Sequence, residues 1–196
     1  EPFQTTIDDE VQLFSGLTGI IRWESGAGSL HEYAEATRER LHDMHESGNR
    51  AWGRIGVAVE QMGGLCATLS LGYKFDNSLA VVFPRRDESL LPAIAAYLKS
   101  EEYSTNVREI DQSIKVTNST LTKVPFDVGR WQAAAEVDFP QGLPKPQSND
   151  LTQAIFHGHP EPSTDPLQVA VARLAGYRWP ADIDTAMELA DDARIW

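Results

Sequence analysis

The chain of 196 residues carries 17 Lys and Arg against 29 Asp and Glu, a formal charge of −12, and 41% hydrophobic residues. That length suits one domain, or a compact core with an appended segment, and the apolar fraction excludes wholesale disorder. A single cysteine, Cys66, excludes an intramolecular disulfide framework and any cysteine-built zinc site, and fits a reducing compartment. No apolar run approaches the roughly 20 residues of a membrane helix and no basic-then-apolar leader opens the chain, so a soluble, cytoplasmic protein is expected.

The charge is unevenly spread. Residues 1–50 hold 4 basic and 10 acidic side chains, residues 51–130 hold 9 of each, and residues 131–196 again hold 4 and 10. So acidic a chain should repel phosphate and should not bind DNA through diffuse charge. Contact with nucleic acid would have to run through the neutral middle.

In chain order, Leu17 to Trp23 reads as a strand, followed by a glycine-rich turn at 26–29. His31 to Ser47 has helical periodicity through Tyr33, Thr37, Leu41 and Met44, with a charged opposite face and Gly48 as a stop. Three β-rich runs follow, Ile55 to Val59, Cys66 to Leu71 and Leu79 to Phe83, separated by Gly63-Gly64 and by 72–77. No segment between them is long enough for a crossover helix, so antiparallel hairpins or a meander are expected. Asp87 is placed to cap a helix with an apolar face of Leu91, Ile94, Tyr97 and Leu98, and Tyr103, Val107 and Ile110 mark a second helix.

Ile114 to Thr117 and Leu121 to Phe126 read as short strands, and Trp131 to Phe139 as one helical turn or more. Pro140 to Asp150 reads as a linker. Asp165-Pro166 opens a helix with a predicted stripe of Leu167, Val171 and Leu174 and a stop at Gly176, and a last helix starts near Asp182 with Ile183, Met187 and Ala190. The expectation is an α+β fold: a small, mostly antiparallel or mixed sheet with packed helices, then a mainly helical C-terminal segment. It divides into 1–50, a strand and helix packing on the core; 51–130, the core; and 131–196, a linker and helical extension.

Few chemistries survive inspection. His157 and His159, and His42 and His45, lack a third ligand at metal-binding spacing, and turn or surface positions explain them more simply. Cys66 lies in an apolar strand with no neighbouring base, which suits a core residue rather than a nucleophile. There is no G-x-S-x-G elbow, no P-loop and no dinucleotide fingerprint. The acid pairs Glu101-Glu102 and Asp191-Asp192 read as solvated faces or helix-dipole partners.

Seven polar residues of the neutral middle remain: Arg54, Gln61, Lys74, Asn77, Lys115, Asn118 and Thr120, at strand ends or in connecting loops. Arg, Lys, Gln and Asn can pair with base edges, while Lys and Thr commonly hold phosphate. Read from the residues alone, ordinary loop polarity is the stronger account of them.

A resemblance shifts that balance. WGRIGVAVEQMGGL (Trp52 to Leu65), YKFDNSLAVVFP (Tyr73 to Pro84), LLPAIAAYLKSEEY (Leu90 to Tyr103) and REIDQSIKVTNSTLTKVPFDV (Arg108 to Val128) are similar to a segment of large bacterial N6-adenine DNA methyltransferases of the type IIG, BREX and DISARM kinds. LPKPQSND (Leu143 to Asp150), FHGHPEPSTDPLQVAVARLAGYRWP (Phe156 to Pro180) and MELADDAR (Met187 to Arg194) resemble the region that follows. The likeness covers about three quarters of the chain; the first 50 residues match less clearly.

The resemblance implies a target-recognition domain that reads double-stranded DNA, related in plan to those of type I specificity subunits. The seven residues would contact the DNA. The parent enzyme would transfer a methyl group from S-adenosylmethionine to a flipped-out adenine. This chain departs from the catalytic pattern: it has no Pro-Pro pair and no glycine-rich S-adenosylmethionine motif. It is therefore expected to be a fragment of a restriction-modification or phage-defence enzyme, with no cofactor or catalytic residue of its own. Its expected partners are duplex DNA, the methyltransferase catalytic domain and other defence proteins, and not a membrane. The alternatives are an acidic DNA mimic or a protein-interaction module.

Overall fold

The computed structural model describes residues 50–145 without interruption. Outside that span it describes 2–5, 7, 13–17, 19–21, 24, 27–37, 48, 166–178, 180–183 and 185–186.

The fold is α+β, and its centre is strand β3 (Gly56–Glu60). It pairs antiparallel with β4 (Ala67–Ser70) on one side and antiparallel with β6 (Leu79–Val82) on the other. The expected antiparallel hairpin forms between β3 and β4, while the order β4-β3-β6 departs from a simple meander. β4 and β6 run parallel to each other on either side of β3, so the chain between them must cross from one edge to the other.

On the way it forms a second sheet that the sequence reading missed. β5 (Lys74–Phe75) pairs in parallel with β1 (Pro2–Gln4), and β1 pairs antiparallel with β2 (Gly19–Ile20). Elements this short lack the alternation that marks a strand; backbone pairing alone defines them. β2 is also shorter than the expected strand, of which Thr18, Arg22 and Trp23 lie outside the described residues.

β3 is buried on both faces, which is why it reads as a continuous apolar run. Val57 and Val59 point into the main core with Leu69, Ala95, Tyr103 and Val107. Ala58 points the other way, to a smaller cluster of Ile7, Ala51, Phe75 and Leu79. The N-terminal segment is tied to β4 by hydrogen bonds. Gln4, 1% exposed, donates its amide to the Ser15 carbonyl at 3.0 Å; the Ser15 N–H donates to Thr68 Oγ1 at 2.9 Å and Leu69 N–H to the Leu13 carbonyl at 2.9 Å. Helix α1 (Ser29–Thr37) starts two residues before the expected His31 to Ser47 helix and covers its first seven residues; 38–47 lie outside the described set.

Asp87 caps as expected, accepting from the Ser89 N–H at 3.0 Å, but the helix starts with a 3-10 turn (Glu88–Leu90) before α2 (Leu91–Leu98). α2 is buried nearly all round. α3 (Glu101–Ile110) opens on Ser100, whose hydroxyl accepts from the Tyr103 N–H at 3.2 Å. Tyr103 and Val107 are fully buried, while Ile110 is half exposed. Tyr97 joins the layers, with ring centroids 5.3 Å from Tyr103, 5.4 Å from Phe126 and 4.9 Å from Trp131.

The two strands expected at Ile114 to Thr117 and Leu121 to Phe126 do not form. Residues 111–117 make a loop braced by side chains, and Asn118–Leu121 make a short helix, α4. Their β-branched residues gain no ladder partner, and Ile114 stands 84% exposed. α5 (Val128–Asp138), capped by Asp127 on the Arg130 N–H at 3.0 Å, packs Trp131 and Ala135 into the main core against α2. The core thus extends past residue 130 to Phe139 and Leu143.

Helix α6 (Pro166–Leu174) starts at the expected proline. Its predicted stripe is not its buried face: Leu167, Val171 and Leu174 are exposed, and Val169 and Ala172 are buried with Tyr177. The C-terminal turn explains the choice. Gly176, at φ +100°, lets the Gly176 N–H reach the Arg173 carbonyl at 3.0 Å and the Tyr177 N–H reach the Ala172 carbonyl at 2.9 Å. That pair of hydrogen bonds folds Tyr177 back onto Ala172 and selects the buried side. α7 (Pro180–Ile183) follows, with Ile183 exposed; Met187 and Ala190 lie outside the described residues. Among the described residues no helix is long and apolar enough to cross a membrane.

Candidate nucleic-acid interface

Five of the seven candidate residues gather where β3 ends and β6 begins. Gln61 follows β3 directly and is fixed on three sides. Its N–H donates to the Ser78 carbonyl at 2.9 Å, its carbonyl accepts the Val116 N–H at 2.8 Å, and its Nε2 donates to Asn118 Oδ1 at 2.5 Å. Lys115 reaches across the same end and donates its Nζ to the Asn77 carbonyl at 2.9 Å. Thr120 sits beneath, its hydroxyl 3.0 Å from that of Thr117 and 3.4 Å from Asp111 Oδ2.

The loop between α3 and α4 is held by groups that the sequence reading had not singled out. Arg108, in the last turn of α3, donates Nη1 to the Ser113 carbonyl at 2.6 Å and Nη2 to the Gly63 carbonyl at 2.8 Å, tying the loop to the β3–β4 hairpin. Asp111 accepts from both the N–H and the hydroxyl of Ser113. Those two bonds hold its carboxyl below the usual carboxylate range. The available signal was the pattern R-x-x-D-x-S at a helix end, where a short acid turns the chain and an arginine closes the loop.

The five residues differ in what they offer to solvent. Gln61 and Thr120 are each 6% exposed, and Gln61 Nε2 and the Thr120 hydroxyl bond inside the protein. Asn77, Lys115 and Asn118 are exposed. Among the described residues the Asn77 carboxamide meets no partner, and Asn118 uses only Oδ1, leaving Nδ2 to solvent.

The other two candidates lie apart, at the opposite end of β3, a strand of roughly 17 Å. Arg54 is exposed, with its guanidinium 4.9 Å from the centre of the Phe83 ring. Lys74 is 6% exposed, its ammonium 3.6 Å from the centre of the Trp52 ring. A buried lysine stacked on an indole braces the fold and presents no charge to an approaching phosphate.

Among the described residues no group of three or more His, Cys, Asp or Glu is placed to hold a metal ion. His42, His45, His157 and His159 lie outside those residues, as do Asp191 and Asp192. Glu101 and Glu102 occupy the first turn of α3, where they favour the helix dipole; Glu102 also pairs with Arg130 on α5. Cys66 is half-buried, beside the cluster around Ala58 and Phe75.

No family model matches the chain, and the searches of curated proteins and of solved structures return no significant match.

Proposed function

We propose that this chain is a DNA target-recognition domain that serves an S-adenosylmethionine-dependent N6-adenine methyltransferase, with the methyl-transferring machinery carried elsewhere in the parent enzyme. One observation supports the reading beyond the resemblance: five candidates spread over sixty residues of sequence converge on one end of the sheet, and three of them remain exposed there. Two carboxamides and an ammonium held on a braced scaffold are the groups that read base edges and grip phosphate.

The acidic regions of sequence lie outside this segment, whose own formal charge is zero. The basic grip on the opposite side of the duplex then falls to the catalytic domain. In this reading Asn77, Lys115, Asn118 and the exposed Arg54 contact DNA. Gln61 and Thr120 position the first three, and Lys74 supports the fold.

Salt titration against random duplex tests the assignment. Duplex binding that weakens with salt and falls on Lys115→Ala supports it. A salt-sensitive complex with a DNA-binding protein, with no duplex binding at any ionic strength, would replace it with the acidic mimic.

A further inference from the structure

We infer that Asn118 is the specificity-determining residue of this surface and that it selects an A·T pair from the major groove, with Gln61 as its positioning residue. The inference rests on the DNA-reading assignment and deepens it.

Gln61 Nε2 can only donate, so the Asn118 atom that faces it at 2.5 Å is Oδ1. That contact occupies one lone pair of the Asn118 carboxamide oxygen. Among the described residues Nδ2, with two N–H donors, meets no partner, and Oδ1 keeps a second lone pair. Asn118 therefore presents a donor and an acceptor side by side on an exposed edge.

Both ends of this presentation are rigid. Gln61 is buried and bonded through its own N–H and carbonyl, and Asn118 begins a helical turn whose approach is set by the Val116 N–H on Gln61. Thr117, one residue earlier, has its hydroxyl 3.1 Å from that of Ser119 and 3.0 Å from that of Thr120. A side chain held in this way loses little freedom when it binds.

Adenine is the base that complements the edge. It shows the N7 acceptor and the N6 donor in the major groove, matching Nδ2 and Oδ1. Guanine shows two acceptors and would set its O6 against Oδ1. Asn77 carries the same group, but among the described residues its carboxamide meets no partner to orient it, so it discriminates less.

The experiment is selection of duplexes from a randomised pool by the whole chain, followed by anisotropy titration of the selected site. Wild type should recover a site with an invariant A·T pair. Asn118→Ala should lose preference at that pair by about tenfold while keeping the rest of the site. Gln61→Met should weaken the same preference and no other. Replacing the selected adenine with 7-deazaadenine, which lacks the N7 acceptor, should weaken wild type and leave Asn118→Ala unchanged, a comparison in which each protein is its own control for folding. Duplex binding with a site unaltered in Asn118→Ala, or equal loss with 7-deazaadenine in both proteins, overturns the inference and leaves the DNA-reading assignment standing. Absence of duplex binding by wild type overturns both.

Discussion

Gln61 and Asn118, separated by 57 positions, meet through one amide–amide hydrogen bond of 2.5 Å that links the end of β3 to the start of α4. Removing the donor with Gln61→Leu leaves Asn118 free to bond water, so the cost should be modest, about 1 kcal/mol. Urea denaturation measures it. Amide exchange adds a local readout, since the Val116 N–H on the Gln61 carbonyl should exchange faster. An unchanged midpoint and unchanged Val116 protection would show that the bond braces nothing.

Lys74 supplies a contrast between charge and support. Lys74→Met keeps the aliphatic stem and removes the cation from the Trp52 ring, which should cost about 1–2 kcal/mol and shift the indole emission. Its effect on duplex affinity should be nil. A loss of affinity across all sequences, at unchanged stability, would return Lys74 to the DNA-contacting set.

Lys115 should behave oppositely. Lys115→Ala removes an exposed charge that donates to the Asn77 carbonyl, so stability should move by less than about 0.5 kcal/mol. Duplex affinity should fall for every sequence, and the slope of log affinity against log salt should shrink by about 1. A sequence-selective loss would instead make Lys115 a base reader.

Tyr103 predicts an alkaline limit. Burial, helped by neighbouring Tyr97, pushes its phenol well above the ordinary value of 10.0, and its hydroxyl donates to the Leu121 carbonyl at 3.2 Å. A group whose folded pKa is raised keeps its proton in the native state while the unfolded chain loses it. Its stabilising contribution is therefore full below pH 10 and declines as pH rises beyond. Thermal melts between pH 8 and 11 should show that decline. In Tyr103→Phe the decline should be smaller, on a baseline lowered by the lost hydroxyl bond. An identical pH profile in the two proteins would locate the alkaline sensitivity elsewhere.

What could be read from sequence follows from how each element is stabilised. β3, β4 and β6 were legible because burial on a face writes itself into apolar, β-branched runs between glycines. α2 and α3 were legible from period and from the Asp87 cap. β1 and β5 were not, because two or three residues held by backbone bonds leave no pattern. Ile114 to Thr117 and Leu121 to Phe126 misled for the converse reason: strand-forming residues without a neighbouring edge fall into loops, with Leu121 alone closing the short helix α4. At the candidate interface the residue types pointed to one region, but only the fold separates exposed Asn77, Lys115 and Asn118 from buried Gln61, Thr120 and Lys74. Burial of a polar side chain depends on partners such as Val116 and Trp52 that come from distant or adjoining segments alike.

The pairing of Phe3 with Lys74 has a kinetic corollary. Joining residues so far apart closes a loop of about 70 residues, an entropic cost that a two-residue strand cannot repay alone. The β2-β1-β5 sheet should therefore assemble only after the β4-β3-β6 sheet and its helices have condensed, and it should be the earliest region to open under mild denaturant. Pulse-labelling during refolding would then find the Gln4 and Asp76 neighbourhood protected last.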